Sequence, residues 1–281
     1  MNDVLSASAM SRREPLPGYK LLTRHNGLVF YGLAAASFLE TAIPMHARVL
    51  VNVFSGEPDT RRWIEENWWR TKYGHGIEAR TYIEATWPEF DWAGAYAAFE
   101  TAYRPLVGAH READCAAAKA LACGVAAAQA SAFYRALGAA ADDPELRSRL
   151  YRMGDGEAAH FTRFRELFSR MERTKHMGLL ATYRTIVACA RRARDVHVRL
   201  AHARLGASYW YGSVPFPEID YAEFVQRMGR VVRRHVSLDP AQRLLFRAWW
   251  QARELQSATR PVVPQARNFA GRHSISARLS P

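Results

Sequence analysis

Glu157 and His160 have the residue types and the spacing for metal or acid–base chemistry. Three positions apart on a helix, they share a face. Leu146, Leu150, Met153, Phe161, Phe164, Phe168 and Met171 recur at a helical period around them, so that face is predicted to point inward. A carboxylate among Leu, Met and Phe is costly unless it is paired or bound to a cation. Glu-x-x-His on a core-facing helix is a form used by carboxylate-bridged metal sites in helix bundles. The same spacing also arises by chance, so the reading needs partners on other helices.

Three further stretches each bring a polar group to an otherwise apolar face. A helix is predicted over residues 26–54, with Leu33, Ala36, Ser37, Ile43, Ala47 and Leu50 on one side and Glu40 interrupting them. Pro44 should kink it. A second helix, capped at Asp59 or Thr60 and running to Thr86, buries Ile64, Trp68, Thr71 or Lys72, His75, Glu78 or Ala79, and Tyr82. A third helical region begins near Asp91, breaks around Pro105 to Gly108 and resumes from Arg111 to Leu137. There Gln129 lies on the line Val125, Phe133, Ala136. Asp142-Asp143-Pro144 is the start signal of the helix carrying Glu157. Later helices are expected over 177–205, 219–236 and 239–257. No strand pattern is convincing, so the fold class is all-α.

In order and rough spacing these groups resemble the ferritin-like superfamily, within it the acyl-carrier-protein desaturase and ribonucleotide-reductase small-subunit branch. The run Gly74-His75-Gly76-Ile77-Glu78-Ala79-Arg80-Thr81-Tyr82 is similar to the His-Gly-x-x-Leu-x-x-Tyr run of those desaturases. Glu157-Ala158-Ala159-His160-Phe161 is similar to their last ligand helix. The resemblance covers residues 27 to 171. It implies a four-helix bundle with additional C-terminal helices, and Glu40, His75, Glu157 and His160 as metal ligands. It also implies iron, as one or two ions, and O2-dependent oxidation of an unactivated C–H bond, desaturase- or hydroxylase-type, on a carrier-bound acyl chain.

Two positions depart from that pattern. Lys72 stands where the second-helix glutamate belongs, and Gln129 where the third-helix glutamate belongs. Four carboxylates would neutralise two ferrous ions; Glu40 and Glu157 alone supply two negative charges, and Lys72 cancels one. An ammonium cannot ligate metal, and an amide offers only a weak neutral oxygen. Glu78, one turn beyond His75, is a substitute carboxylate. The opposite solution is a metal-free or degenerate centre, with Lys72 replacing the metal and salt-bridging Glu40 and Glu157. The protein is then a scaffold or binding protein, with Tyr73, Tyr82 and Tyr134 as redox candidates. No catalytic residue is assigned.

The 281 residues carry a net charge of +12 that is almost wholly arginine, since only Lys20, Lys72, Lys119 and Lys175 are lysines. That balance favours acidic partners. With the resemblance, it points to an acidic acyl carrier protein docked on the Arg-rich later helices, an electron donor if the centre is active, and a homodimer. Basic helices with interleaved aromatics also suit a nucleic-acid-binding protein, but no recognition motif accompanies them. Cys115, Cys123 and Cys189 have no zinc-type spacing. The N-terminus lacks a signal-peptide core, and the apolar run Leu28 to Leu39 is too short to span a bilayer, so a cytoplasmic protein without a membrane span is expected. The expected organisation is a leader over 1–24, a ferritin-like core over 25–175, C-terminal helices over 176–258 and a basic tail over 259–281.

Overall fold

Glycine and proline punctuate a chain whose apolar residues otherwise recur at a helical period, and the helices follow that punctuation. In the computed structural model, the described residues are 18–108, 115–174, 178, 180, 182–187 and 196–235. Among them the protein is all-α, and the only β feature is one isolated bridge between Phe90 and Trp210.

Helix α1 (Gly18–Arg24) lies where a surface leader was expected. It is held because the buried Thr23 hydroxyl accepts from the Asp143 backbone N–H, and because Arg24 reaches Thr86 O and the Glu89 carboxylate. Asn26 then caps α2 (Gly27–Thr41) by accepting from Val29 N. Ala42 separates α2 from α3 (Ile43–Val53), and the two helices bend by 46° at this break. Pro44 has no N–H to donate and so sits in the first turn of α3, where none is needed.

Short α4 (Pro58–Trp63) leads through a π-helical turn, Ile64–Trp68, into α5 (Trp69–Thr86). The sequence reading anticipated one regular helix here. The extra residue in the π-turn changes the phase of Trp63 and Ile64 relative to Lys72. Helix α6 (Trp92–Gly108) contains Pro105, and α7 (Ala116–Ala140) follows. Helix α8 (Pro144–Thr174) starts at the expected signal: Pro144 is its first residue, and the Asp143 carboxylate accepts from Glu145 N. The expected helix over 177–205 is described in part, as α9 (His197–His202), and α10 (Tyr221–His235) follows. The expected helix over 239–257, the basic tail, Cys189 and Arg191 to Arg194 fall outside the described residues.

Helices α7 and α8 form the longest pairing, and α2 lies along α5. Small side chains on α7 let the backbones approach, and Ser131 Oγ donates to Gly154 O at 2.7 Å across that seam. Most of the core is one cluster around Phe30, whose ring meets Trp87, Phe90, Trp210 and Phe216. A second cluster joins Leu50, Phe54, Ile64, Trp68, Phe164 and Leu167. Helix α7 is by length and composition apolar enough to cross a membrane. Much of it is buried against other helices, which is also how the core helix of a bundle reads.

The expected inward stripe on α8 holds for Leu146, Leu150, Met153 and Phe164, while Phe161, Phe168 and Met171 are half-buried and Leu167 is buried in addition. On α7 the buried line passes through Tyr134, leaving Phe133 half-buried. A helix has 3.6 residues per turn, so whichever neighbour packs closest decides which of two adjacent residues faces in.

Candidate functional site

Five residues from three helices meet in the interior. Helix α2 contributes Glu40, α5 contributes Lys72 and His75, and α8 contributes Glu157 and His160. Glu40, Lys72, Glu157 and His160 are buried, and His75 is half-buried. Glu40 and Lys72 are brought together by a close helix crossing. Gly76 lies against the end of α2, and a Cβ there would stand 2.8 Å from Thr41 N.

Lysine is the hub. Lys72 Nζ donates to Glu157 Oε1 at 2.6 Å and to Glu40 Oε1 at 3.0 Å. Tyr134 OH donates to the same Glu40 oxygen at 2.7 Å. The sequence reading had Tyr134 as a redox candidate and missed this contact; an inward carboxylate needing donors was the available signal. His160 Nδ1 lies 3.5 Å from Glu157 Oε2, near enough for attraction but without hydrogen-bond geometry.

Burial disfavours every charge here, and the contacts decide which charges persist. Burial would lower the affinity of Lys72 for its proton, but the two carboxylates override this and hold the ammonium above its ordinary range. Burial would raise Glu157, yet Lys72 and His160 bring it down to about 2. Glu40 stays raised because desolvation and the neighbouring Glu157 charge outweigh Lys72 and Tyr134. Burial pushes His75 down to about 4, so its imidazole is neutral at physiological pH. Tyr134 is held well above its usual range by burial and by the Glu40 carboxylate.

Glu40, His75 and Glu157 each offer a ligand atom, all within 4.8 Å of one another, so this buried group could hold a metal ion. Glu40 Oε2 and His75 Nδ1 have no hydrogen-bond partner among the described residues. His160 adjoins the group through Glu157 but is not one of the three. Glu78 is half-buried outside the group, so the substitute carboxylate is not supplied from that position. Gln129 is buried and shares the wall of a neighbouring cavity with Glu40.

The donor set does not fit two irons. Two carboxylates and one ammonium leave a single negative charge against four positive ones. Unit charges about 4 Å apart at an effective dielectric near 20 interact by about 4 kcal/mol, so a divalent ion beside the ammonium would meet about twice that repulsion. A single ion fits the acids and imidazoles only if Lys72 withdraws or loses its proton, and its raised affinity for that proton opposes the second course.

Comparison of the chain with protein-family models, with curated proteins and with solved structures finds no match.

Proposed function

We propose that the chain is a ferritin-like helical protein whose interior centre is organised by an ammonium in place of a metal ion, and that it works as a metal-independent binding protein. One observation carries this reading: Lys72 Nζ lies within 3.0 Å of both carboxylates that would otherwise need a metal, and it satisfies one oxygen of each. The order of Glu40, Lys72/His75, Gln129 and Glu157/His160 along α2, α5, α7 and α8 supports the ferritin-like bundle.

The test is metal analysis by mass spectrometry of full-length protein purified without chelator, beside Lys72→Glu. The native protein should hold well under one iron or manganese ion per chain. Lys72→Glu, which restores a carboxylate, should take up ferrous iron. One or more tightly held irons per native chain would overturn the reading.

A second reading is an O2-dependent iron oxidoreductase, favoured by the ligand atoms of Glu40, His75 and Glu157 and by the unpartnered Glu40 Oε2 and His75 Nδ1. Those residues and His160 would hold one ion, which when bound supplies the redox chemistry. Burial would keep His75 neutral and its lone pair available, and the apolar surroundings would exclude water. An acidic acyl carrier protein would dock against exposed Arg227, Arg230, Arg233 and Arg234 on α10. An external electron donor, a homodimer and a cytoplasmic setting complete that reading. Retained iron with O2 consumption in the presence of a reductant would favour it over the first.

A further inference from the structure

Next to the lysine centre lies a cavity of about 210 Å³ between α2, α7, α9 and α10. Its walls are mostly small or apolar. Ala35 and Ala36 face it from α2, Ala126 and Ala130 from α7, and Phe224 and Met228 from α10. Ala126 is exposed and Ala130 half-buried, so the cavity reaches the surface along α7.

Its polar side chains are few: Glu40, Gln129 and Tyr134 from α2 and α7, and Tyr221 from α10. Gln129 is 6% exposed and lines the cavity beside Glu40 and Tyr134. None of the hydrogen bonds among the described residues engages the Gln129 amide. The Tyr134 hydroxyl and Glu40 Oε1 are already committed to each other. An amide with hydrogen-bonding capacity to spare, set in a largely apolar wall, can give an occupant of the cavity one polar contact.

We infer that this cavity is a binding site for a compact apolar molecule of about bicyclic-ring size carrying one hydroxyl or carbonyl, with that group hydrogen-bonded to Gln129. The size follows from volume: a cavity of about 150 Å³ accepts benzene, and this one is about 1.4 times larger. Ring-shaped ligands suit the aromatic side chains on the wall, and a full-length fatty-acyl chain would not be enclosed. The inference deepens the reading of the chain as a binding protein, but it does not depend on the metal content of the centre.

The experiment is a fluorescence titration of the full chain with 2-naphthol and with naphthalene, with metal content measured on the same samples. Native protein should bind 2-naphthol saturably, one per chain, about threefold to tenfold tighter than naphthalene, the range one net hydrogen bond supplies. Gln129→Leu should erase that preference while keeping naphthalene binding. Ala130→Phe and Val232→Phe, checked for native helicity by circular dichroism, should abolish both. The inference fails if native protein binds neither probe, if Gln129→Leu keeps the preference, or if the folded filling variants bind unchanged. Metal-loaded protein that binds 2-naphthol would keep this inference and overturn the metal-independent centre; metal-free protein that binds neither probe would do the reverse.

Discussion

Lys72 and Glu157, 85 residues apart in the chain, meet at 2.6 Å in the interior with Glu157 almost wholly shielded from water. The contact joins α5 to α8 and leaves Glu40 as the second acceptor of the same ammonium. Its consequences can be measured.

Removing the ammonium leaves two buried carboxylates without their counter-charge. Lys72→Met should cost roughly 3–5 kcal/mol of stability, as breaking one side of a buried ion pair does. If two acids and the imidazoles are then free to act as ligands, added Mn2+ or Zn2+ should raise the melting temperature of Lys72→Met and leave the native protein nearly unchanged. Calorimetry with and without the ions reads both effects. An unchanged melting temperature in the variant without metal would remove Lys72 from its central role.

Acid should destabilise the protein in two stages. His75 and His202 are both pushed down to about 4 by burial, so their contributions are complete above the ordinary histidine range and are lost as pH falls from about 6.5 through 4. Glu157, brought to about 2, contributes above the ordinary carboxylate range and loses that contribution as pH falls below about 4.5. Glu40 runs the other way. Its raised value means that its contribution is present at low pH and lost as pH rises above the ordinary carboxylate range through the folded-state value, so it opposes the two histidines and not Glu157. Denaturant unfolding between pH 7 and 4 should show a positive slope of stability with pH of about one to two protons, two from the histidines less what Glu40 takes back, and His202→Gln should remove about one of them.

Two glycines of α5, two residues apart, should respond in opposite directions. Gly76→Ala places a Cβ against the backbone of Thr41 and should destabilise by roughly 1–3 kcal/mol, because backbone cannot move aside as a side chain can. Gly74, only two residues earlier, faces open space, and Gly74→Ala should stabilise by about 0.5–1 kcal/mol. Paired thermal melts distinguish a required close approach from a general tolerance of the helix.

Tyr82 OH donates to Asp143 Oδ2 at 2.7 Å, and Asp143 is completely buried at the start of α8. Tyr82→Phe keeps the ring and deletes the donor, so it should cost roughly 1–3 kcal/mol. Chemical denaturation measures it; a loss near zero would show that Asp143 is satisfied by its helix-capping contact and its other neighbours alone.

Much of the candidate site was legible from residue type and period. Glu40, Gln129, Glu157 and His160 interrupt apolar lines and each is buried; on α5 the period leaves Thr71 or Lys72 open, and the structure buries Lys72, exposes Thr71 and half-buries His75. The Asp143-Pro144 helix start is a local signal, and it was read correctly because capping depends only on adjacent residues. Tyr134 as a donor to Glu40 is not legible from period, since neighbouring Phe133 fits the same apolar line; only the need of an inward carboxylate for donors points to it. The π-turn was missed because hydrophobic periodicity tolerates one extra residue.

Local capping and the 3.6-residue period suffice for the all-helical class, for helix starts such as those at Asn26 and Pro144, and for most of the polar residues turned inward. Packing chooses between the two arrangements the residues allow at Lys72, setting it between Glu40 and Glu157, and it alone keeps Glu78 outside and puts Gln129 beside a cavity. Those outcomes depend on the bend at Ala42 and the approach permitted by Gly76, and so on the distances between helices. A one-dimensional pattern specifies which face is buried, but the partner it meets is set by how whole helices pack.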